Sequence, residues 1–246
     1  MTPPDTTEDR RVVAPTATGT LTTNAAFHFD VRPGAELTAS SLAQVRALFR
    51  ASYRAPNDSY LDRSLARLRY VATAWQDEEL AGFAVAEPRR MDLPRLPRQI
   101  VALAGICCVD ARFRRQGLFR ELEVHAFRAG GVPAGERLLS CGRMAHPASF
   151  RTMSWSPSCV PARGRRPTPW QQEVGIAIAH AYGVERFDPE TFVCAGSGTP
   201  MLPIIDVDVQ AEEWEPFAQV DATRGDCLLG MLWTPAAPDD WSDPGR

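Results

Sequence analysis

The segment QIVALAGICCV (Gln99–Val109), followed at once by DARFRRQGLF (Asp110–Phe119), decides how this chain folds. Its first part is an almost unbroken apolar run of strand length, the pattern of a central strand covered on both faces. Its second part is polar and feeds a helix in which Leu118, Leu122, Val124, His125 and Phe127 lie largely on one face. A buried strand that ends in such a turn makes a good anion site. The first backbone N–H groups of a helix have no internal partner, and the helix dipole is positive at that end. Gly117 lets the main chain approach a ligand with no Cβ in the way, and Arg112, Arg114, Arg115 and Arg120 add fixed positive charge. A pyrophosphate fits this turn.

Upstream, FHFDVRP from Phe27 alternates as a strand, and Pro33-Gly34 closes it. Thr38 to Ser41 offer N-caps for a helix carrying Leu42, Val45, Leu48 and Phe49. A second helix spans about Tyr60 to Tyr70 on Leu61, Leu65 and Leu68. YVATAW and LAGFAVAE flank a polar connection from Gln76 to Glu79 and predict an antiparallel pair, with the proline-rich MDLPRLPR after them as a loop. Downstream, Gly130-Gly131 stops the helix, RLLSC (Arg137 to Cys141) is a short strand, and residues 142 to 169 read as a long loop. A helix from Trp170 to Tyr182 is capped by Gly183, and FVCAG, PIIDVDV and DCLLGMLW predict closing strands. The order of elements predicts a mixed α/β (α+β) fold. Residues 1 to 25, rich in Thr, Pro, Asp and Ala, are expected to form a disordered leader, with 26 to 246 as one domain.

The turn Arg114-Arg115-Gln116-Gly117-Leu118-Phe119, preceded by Val109 and Phe113, resembles the coenzyme A turn of the GNAT superfamily of N-acetyltransferases. That turn is written R/Q-x-x-G-x-G/A and lies between the fourth strand and third helix. The order of elements from Phe27 to Cys141 agrees with the family's. The resemblance implies a twisted mixed sheet of about seven strands, flanked by helices, that splays open after the fourth strand. A pantetheine arm would pair with the free edge around Ile106 to Val109, hence beside Cys107 and Cys108, and its pyrophosphate would lie on N–H groups of Arg115 to Phe119. The implied chemistry is direct attack of an amine on a thioester carbonyl polarised by backbone N–H near Cys108 or Val109. Acetyl-CoA or another acyl-CoA is the implied co-substrate, and a small-molecule amine the acceptor. An acyl carrier protein or an aminoacyl-tRNA are the alternative donors. A non-catalytic module that binds acyl thioesters is the alternative from another class.

Three positions depart from the family pattern. Phe119 stands where Gly or Ala is usual, no Glu or Asp lies within QIVALAGICCV, and Met153-Ser154-Trp155 occupy the place of the family's tyrosine acid. His146, just beyond the fifth strand, is the best titratable candidate near the acceptor, weighed against a helix-capping role. Ser154 is a candidate proton donor to the leaving thiolate, and Glu87, at the expected end of the third strand, a water-mediated base. Cys107 and Cys108 are expected to pack in the core, since no neighbouring His or Lys lowers a thiol pKa there. Residues 142 to 210 exceed the family minimum and are expected to roof the acceptor cleft.

Composition narrows the classes further. All 27 basic residues are arginine, and the formal charge is -3 at pH 7, which argues against a dedicated nucleic-acid binder and leaves tRNA only as an alternative donor. An arginine-rich rim that includes Arg163, Arg165 and Arg166 suits docking of an acidic acyl carrier protein. Six cysteines without a C-x-x-C pair predict free thiols and no metal. No apolar run is long enough for a membrane span, and a cytoplasmic location is expected.

Overall fold

The computed structural model describes residues 27–133 and 135–243; the expected leader lies outside the described residues. The elements run β1 (His28–Pro33), α1 (Ala39–Ala51), α2 (Asp58–Arg67), β2 (Tyr70–Gln76), β3 (Glu79–Leu93), β4 (Leu96–Val109), α3 (Leu118–Ala129), β5 (Leu138–Met144), α4 (Pro147–Ser154), α5 (Pro169–Ala181), β6 (Phe187–Asp188), β7 (Val193–Cys194) and β8 (Cys227–Thr234). Among the described residues, all eight strands join one sheet in the order β1-β2-β3-β4-β5-β8-β7-β6. Only β4 and β5 run parallel; every other neighbouring pair is antiparallel. This is the mixed sheet flanked by helices that the GNAT resemblance implied, with one strand more.

Helices α1, α2 and α5 begin where a polar side chain satisfies their first free N–H groups. Thr38 caps α1 by accepting from Ser41 N–H, Asn57 caps α2 by accepting from Tyr60 N–H, and Thr168 with Gln171 closes a capping box on α5. Two apolar cores result. On one face of the sheet Val45, Leu48 and Phe49 of α1, Leu61 of α2 and Val174 and Ile178 of α5 pack on Val101, Leu103, Ile106 and Cys108 of β4. On the other face α3 buries Leu118, Leu122 and Ala126 against Ala72, Ala74, Ala81, Ala84 and Ala86. The small alanines bring that helix close to the sheet. The inward stripe of α3 is therefore 118, 122, 126, at helical spacing, while Val124 and His125 lie at its edge.

The structure corrects four expectations. MDLPRLPR is no loop: β3 and β4 continue as a long hairpin to the pair Leu93↔Leu96, turning through Pro94 and Arg95, the latter in the left-handed region at φ 64°. The strand after α3 runs past Cys141 to Met144, and residues 147–154 form α4 inside the expected loop. PIIDVDV forms no strand; Pro203 makes a single bridge to Tyr53, because the segment crosses the end of α1 and meets no sheet edge. Glu87 stands in mid-strand opposite Leu103, six residues before β3 ends.

Two irregularities at one level open the sheet. The pairs Ala84↔Cys107 and Ala86↔Ala104 leave Gly105 and Ile106 of β4 opposite the single residue Val85, a β-bulge. The bulge shifts the strand's phase, so Leu103, Ile106 and Cys108 all face the core under α1. At that same level the parallel ladder ends, its last pair being Ala104↔Gly142. A side chain at Gly105 would place Cβ 2.5 Å from Leu68 Cδ1 and 2.9 Å from the Val85 carbonyl oxygen.

Candidate active site

Beyond Ala104 and Gly142 the two central strands part, and β4 carries a free edge from Gly105 to Val109. Asp110 N–H donates to the Ala81 carbonyl at 2.9 Å, toward β3. Strand backbone alternates, so the N–H groups of Cys107 and Val109 face the opposite, open side. Arg114 Nε, donating to the Val109 carbonyl at 3.2 Å, marks that side. The side chains of the two cysteines diverge. Cys107 faces α3, where its thiol donates to the Phe119 carbonyl at 3.9 Å, and Cys108 is buried in the core under α1. Burial raises the Cys107 thiol well above its ordinary value and pushes Cys108 up to about 12, so neither is ionised at neutral pH.

The turn after β4 is built from backbone. Asp110 caps a short 3-10 turn (Ala111–Phe113) by accepting from Arg112 N–H at 2.9 Å. Arg115 at φ 65° and Gly117 at φ 82° are both left-handed, which turns the chain sharply into α3 with Gly117 as its N-cap. The first intrahelical bond is Glu121 N–H to the Gly117 carbonyl. Among the described residues, no acceptor meets the N–H groups of Gly117, Leu118, Phe119 or Arg120. The space where a Gly117 Cβ would stand is open. Leu118 is buried, so only its N–H is offered; Gln116 is exposed, and Phe119 is half-buried outside both cores.

The arginines of this turn differ in what holds them. Arg112 is ion-paired to Asp110 and Glu79, which removes it from the charge expected to face a ligand. Arg114, Arg115 and Arg120 form no ion pair among the described residues. Arg115 Nη2 reaches the Asp206 carbonyl at 3.4 Å. Residues 202–208 thereby form a strap. It is bonded to the end of α1 (Arg54 N–H to Leu202, Ile204 N–H to Ser52), then to Arg115, then to Arg151 of α4 through the Asp208 carbonyl.

The sequence-predicted acid–base residues are dispersed. His146 is the N-cap of α4, its Nδ1 accepting from Ala148 N–H at 3.2 Å while its ring meets Trp214 edge-on at 5.2 Å. Burial, then Arg151, lowers its pKa. Ser154 is exposed on the last turn of α4. Glu87 is held by Arg89 Nη2 at 2.7 Å, on the part of β3 that backs the closed half of the sheet.

What the fork does contain comes from four separate segments. Tyr182, just after α5, is buried with its hydroxyl 2.7 Å from the Ala104 carbonyl and 2.8 Å from the Cys141 carbonyl, bridging β4 and β5 one step from their last pair. Tyr60 of α2 and Arg143 of β5 pack beside it. From the α3 side comes Glu123, one turn after Phe119; burial raises the Cys107 and Tyr182 pKa values, and the nearby Glu123 charge adds to both. Burial pushes the Glu123 carboxyl up to about 7. Spacing alone marks Glu123 only as i+4 from Phe119. Nothing local in the sequence marks Tyr182.

No protein-family model matches the chain, and no curated protein does. Among solved structures it is similar to the ribosomal-protein-S18-alanine N-acetyltransferase from Escherichia coli, at 14% identity over 87% of this chain and 98% of that one, with a TM-score of 0.40. It is similar also to a GNAT-family acetyltransferase of Desulfovibrio desulfuricans, at 16% identity over 52% and 80% of the two chains and a TM-score of 0.38. An aminoglycoside acetyltransferase from an uncultured soil metagenomic sample shares 18% identity over 42% of this chain and 68% of that one, with a TM-score of 0.31.

Proposed function

We propose that this chain is an acyltransferase that takes an acyl group from a phosphopantetheine thioester and transfers it to the amine of a small molecule. The observation that carries the reading is continuity. The free edge of β4 runs straight into a left-handed glycine at a helix N-terminus, with unspent N–H groups along the edge and in the turn. A pantetheine arm is a strand-like chain of amides and a pyrophosphate is a dianion, so one extended ligand uses both features. Leu118, Phe119 and Arg120 N–H would hold the phosphates with Arg114 and Arg115 alongside, and Cys107 and Val109 N–H would pair with the arm.

Coenzyme A is the favoured form of the donor. Within the arginine-rich rim, Arg163 is paired with Glu215 at 3.3 Å and Arg165 donates to the Pro157 carbonyl, so part of the charge that would steer an acidic carrier protein is already engaged.

Acyl transfer forms a C–N bond and breaks the C–S bond, so the amine must shed a proton and the thiolate gain one. Glu123, at the fork with a carboxyl near neutrality, is the group best placed to take that proton, a role that favours a pKa near the working pH. Tyr182 holds the fork open in a fixed geometry. His146 and Ser154 retain a place in the reading only on the acceptor side.

Replacing Gly117 by valine tests the cradle. Its φ of 82° disfavours a branched side chain, and the added methyl groups enter the space left for phosphate. Coenzyme A affinity, measured by isothermal titration calorimetry, is expected to fall at least a hundredfold with the fold intact. Unchanged affinity would remove the cradle from the reading.

A further inference from the structure

Arg143 is the first residue of β5 beyond its last pair with β4, so it stands at the apex of the fork on the face of α1, α2 and α5. Its guanidinium carbon lies 5.0 Å from the ring centre of Tyr182 and 5.8 Å from that of Tyr60. One nitrogen, Nη2, reaches the Tyr60 hydroxyl at 3.5 Å, the long limit of a hydrogen bond. The thiols of Cys194 and Cys227 lie near enough to act on it electrostatically. Among the described residues no carboxylate forms an ion pair with it.

An arginine placed among phenol rings and thiols loses much of its hydration, and two cation–π contacts offset only part of that cost. A guanidinium has five N–H donors in a planar fork shaped for a carboxylate or phosphate, and here one is engaged, weakly. The residue is not sealed off: it keeps partial contact with solvent. The phosphates of the donor are not its partner. The proposed cradle begins past Val109, four residues along β4 from Gly105, the level of Arg143, and therefore about 13 Å or more away at the rise of a strand. An anion that meets Arg143 must arrive at the reacting end of the cleft.

We propose that Arg143 receives a carboxylate brought to the fork by one of the reactants, either an acceptor that is an amino acid or an acyl group that ends in a second carboxylate. The inference rests on the reading of this cleft as an acyl-transfer site and names the chemical class of what enters it. The planar fork holds the carboxylate, the rings of Tyr60 and Tyr182 hold the guanidinium flat, and the apex position sets the bound group beside the free edge of β4.

Binding separates the possibilities without requiring turnover. Glycine, L-phenylalanine and L-glutamate are titrated calorimetrically against the full chain beside their carboxamides, and succinyl-CoA beside acetyl-CoA. In one of the two arms the acid is expected to bind at least tenfold tighter than its neutral counterpart. The preference disappears in Arg143→Met and survives in part in Arg143→Lys. An advantage in the first arm assigns the carboxylate to the acceptor, and one in the second to the acyl group. Equal binding of acid and neutral probe in both arms, with coenzyme A still bound, overturns the inference and leaves the donor reading standing. An acid preference that depends on Arg143 in a protein that does not bind coenzyme A supports the inference and sinks the donor reading. Melting temperature separates binding from architecture: Arg143→Met is expected to melt no lower than the parent, because it removes a dehydrated charge that lacks a counter-ion. A lower melting temperature with the acid preference intact assigns Arg143 to the fold and overturns the proposal.

Discussion

The two ends of the cleft are made of different materials. At the end proposed to hold the donor, what is offered to a ligand is main chain from one continuous stretch of thirteen residues, Cys107 to Phe119, with arginines added around it. At the fork, the groups are side chains, and each comes from a different element: Tyr60 from α2, Glu123 from α3, Arg143 from β5 and Tyr182 from the end of α5. A backbone site recognises what many donors share, since phosphates and amides need only N–H groups at the right pitch. A side-chain site can be altered one residue at a time without disturbing the sheet. Under the proposed function, donor class is written into the scaffold, and acceptor choice into the residues hung upon it.

The comparison breaks most severely if the fork cannot form, and Gly105→Val puts that to the test. A Cβ there meets Leu68 and the Val85 carbonyl well inside contact distance, and the backbone oxygen cannot yield without disturbing the bulge. Destabilisation of about 3 kcal/mol or more is expected from overpacking of this kind. It would appear as a lower urea midpoint, and both donor and acceptor binding should fall together. A stable variant that loses only one of the two would show that the ends are less dependent on a common bulge than the geometry indicates.

Next in size is a purely chemical effect at the fork. With the Glu123 carboxyl near 7, kcat/KM is expected to rise as pH climbs through about 7, and Glu123→Gln should lower it roughly a hundredfold and flatten the profile. Coenzyme A affinity should not change. Stability moves the other way. A carboxyl whose folded pKa is raised costs stability as pH rises from its ordinary value through 7, so Glu123→Gln should be relatively more stable than the parent at pH 8 than at pH 4. A pH profile that survives the substitution would take proton transfer away from Glu123.

The smallest effect sharpens the donor end. Arg114→Ala is expected to weaken coenzyme A binding about fivefold to tenfold at low salt, and less at high salt, as a half-buried charge still within reach of solvent ions should. Arg112→Ala should change it less than twofold, because Asp110 and Glu79 already hold that side chain. Equal losses for the two would mean that the cradle acts through general positive charge and not through the turn's own geometry.

Local patterns in the sequence were enough for the central strand, the turn and α3, because each obeys a rule of short range: an apolar run for burial, a glycine for the left-handed N-cap, helical spacing for the inward stripe. The same patterns placed α1, α2 and the β2–β3 pair. They misjudged MDLPRLPR, where prolines suggested a loop and the partner strand's ladder held both chains extended, and PIIDVDV, where alternation promised a strand that meets no free edge. Among site residues, Gly117 was visible because its backbone role is local. Tyr182, Glu123 and Arg143 were not, because their meaning depends on a bulge opposite Val85 and on which helices cover the opening it makes. His146 was visible as a titratable side chain, and its engagement as the cap of α4 only from the fold. The chain's own order of residues determined that a sheet edge would lead into a helix terminus with unpaired N–H groups, since both are properties of neighbouring peptide units. The tertiary structure alone decided what stands at the apex of the fork, since Ala104, Cys141 and Tyr182 are brought within hydrogen-bonding distance only when β4, β5 and α5 pack together.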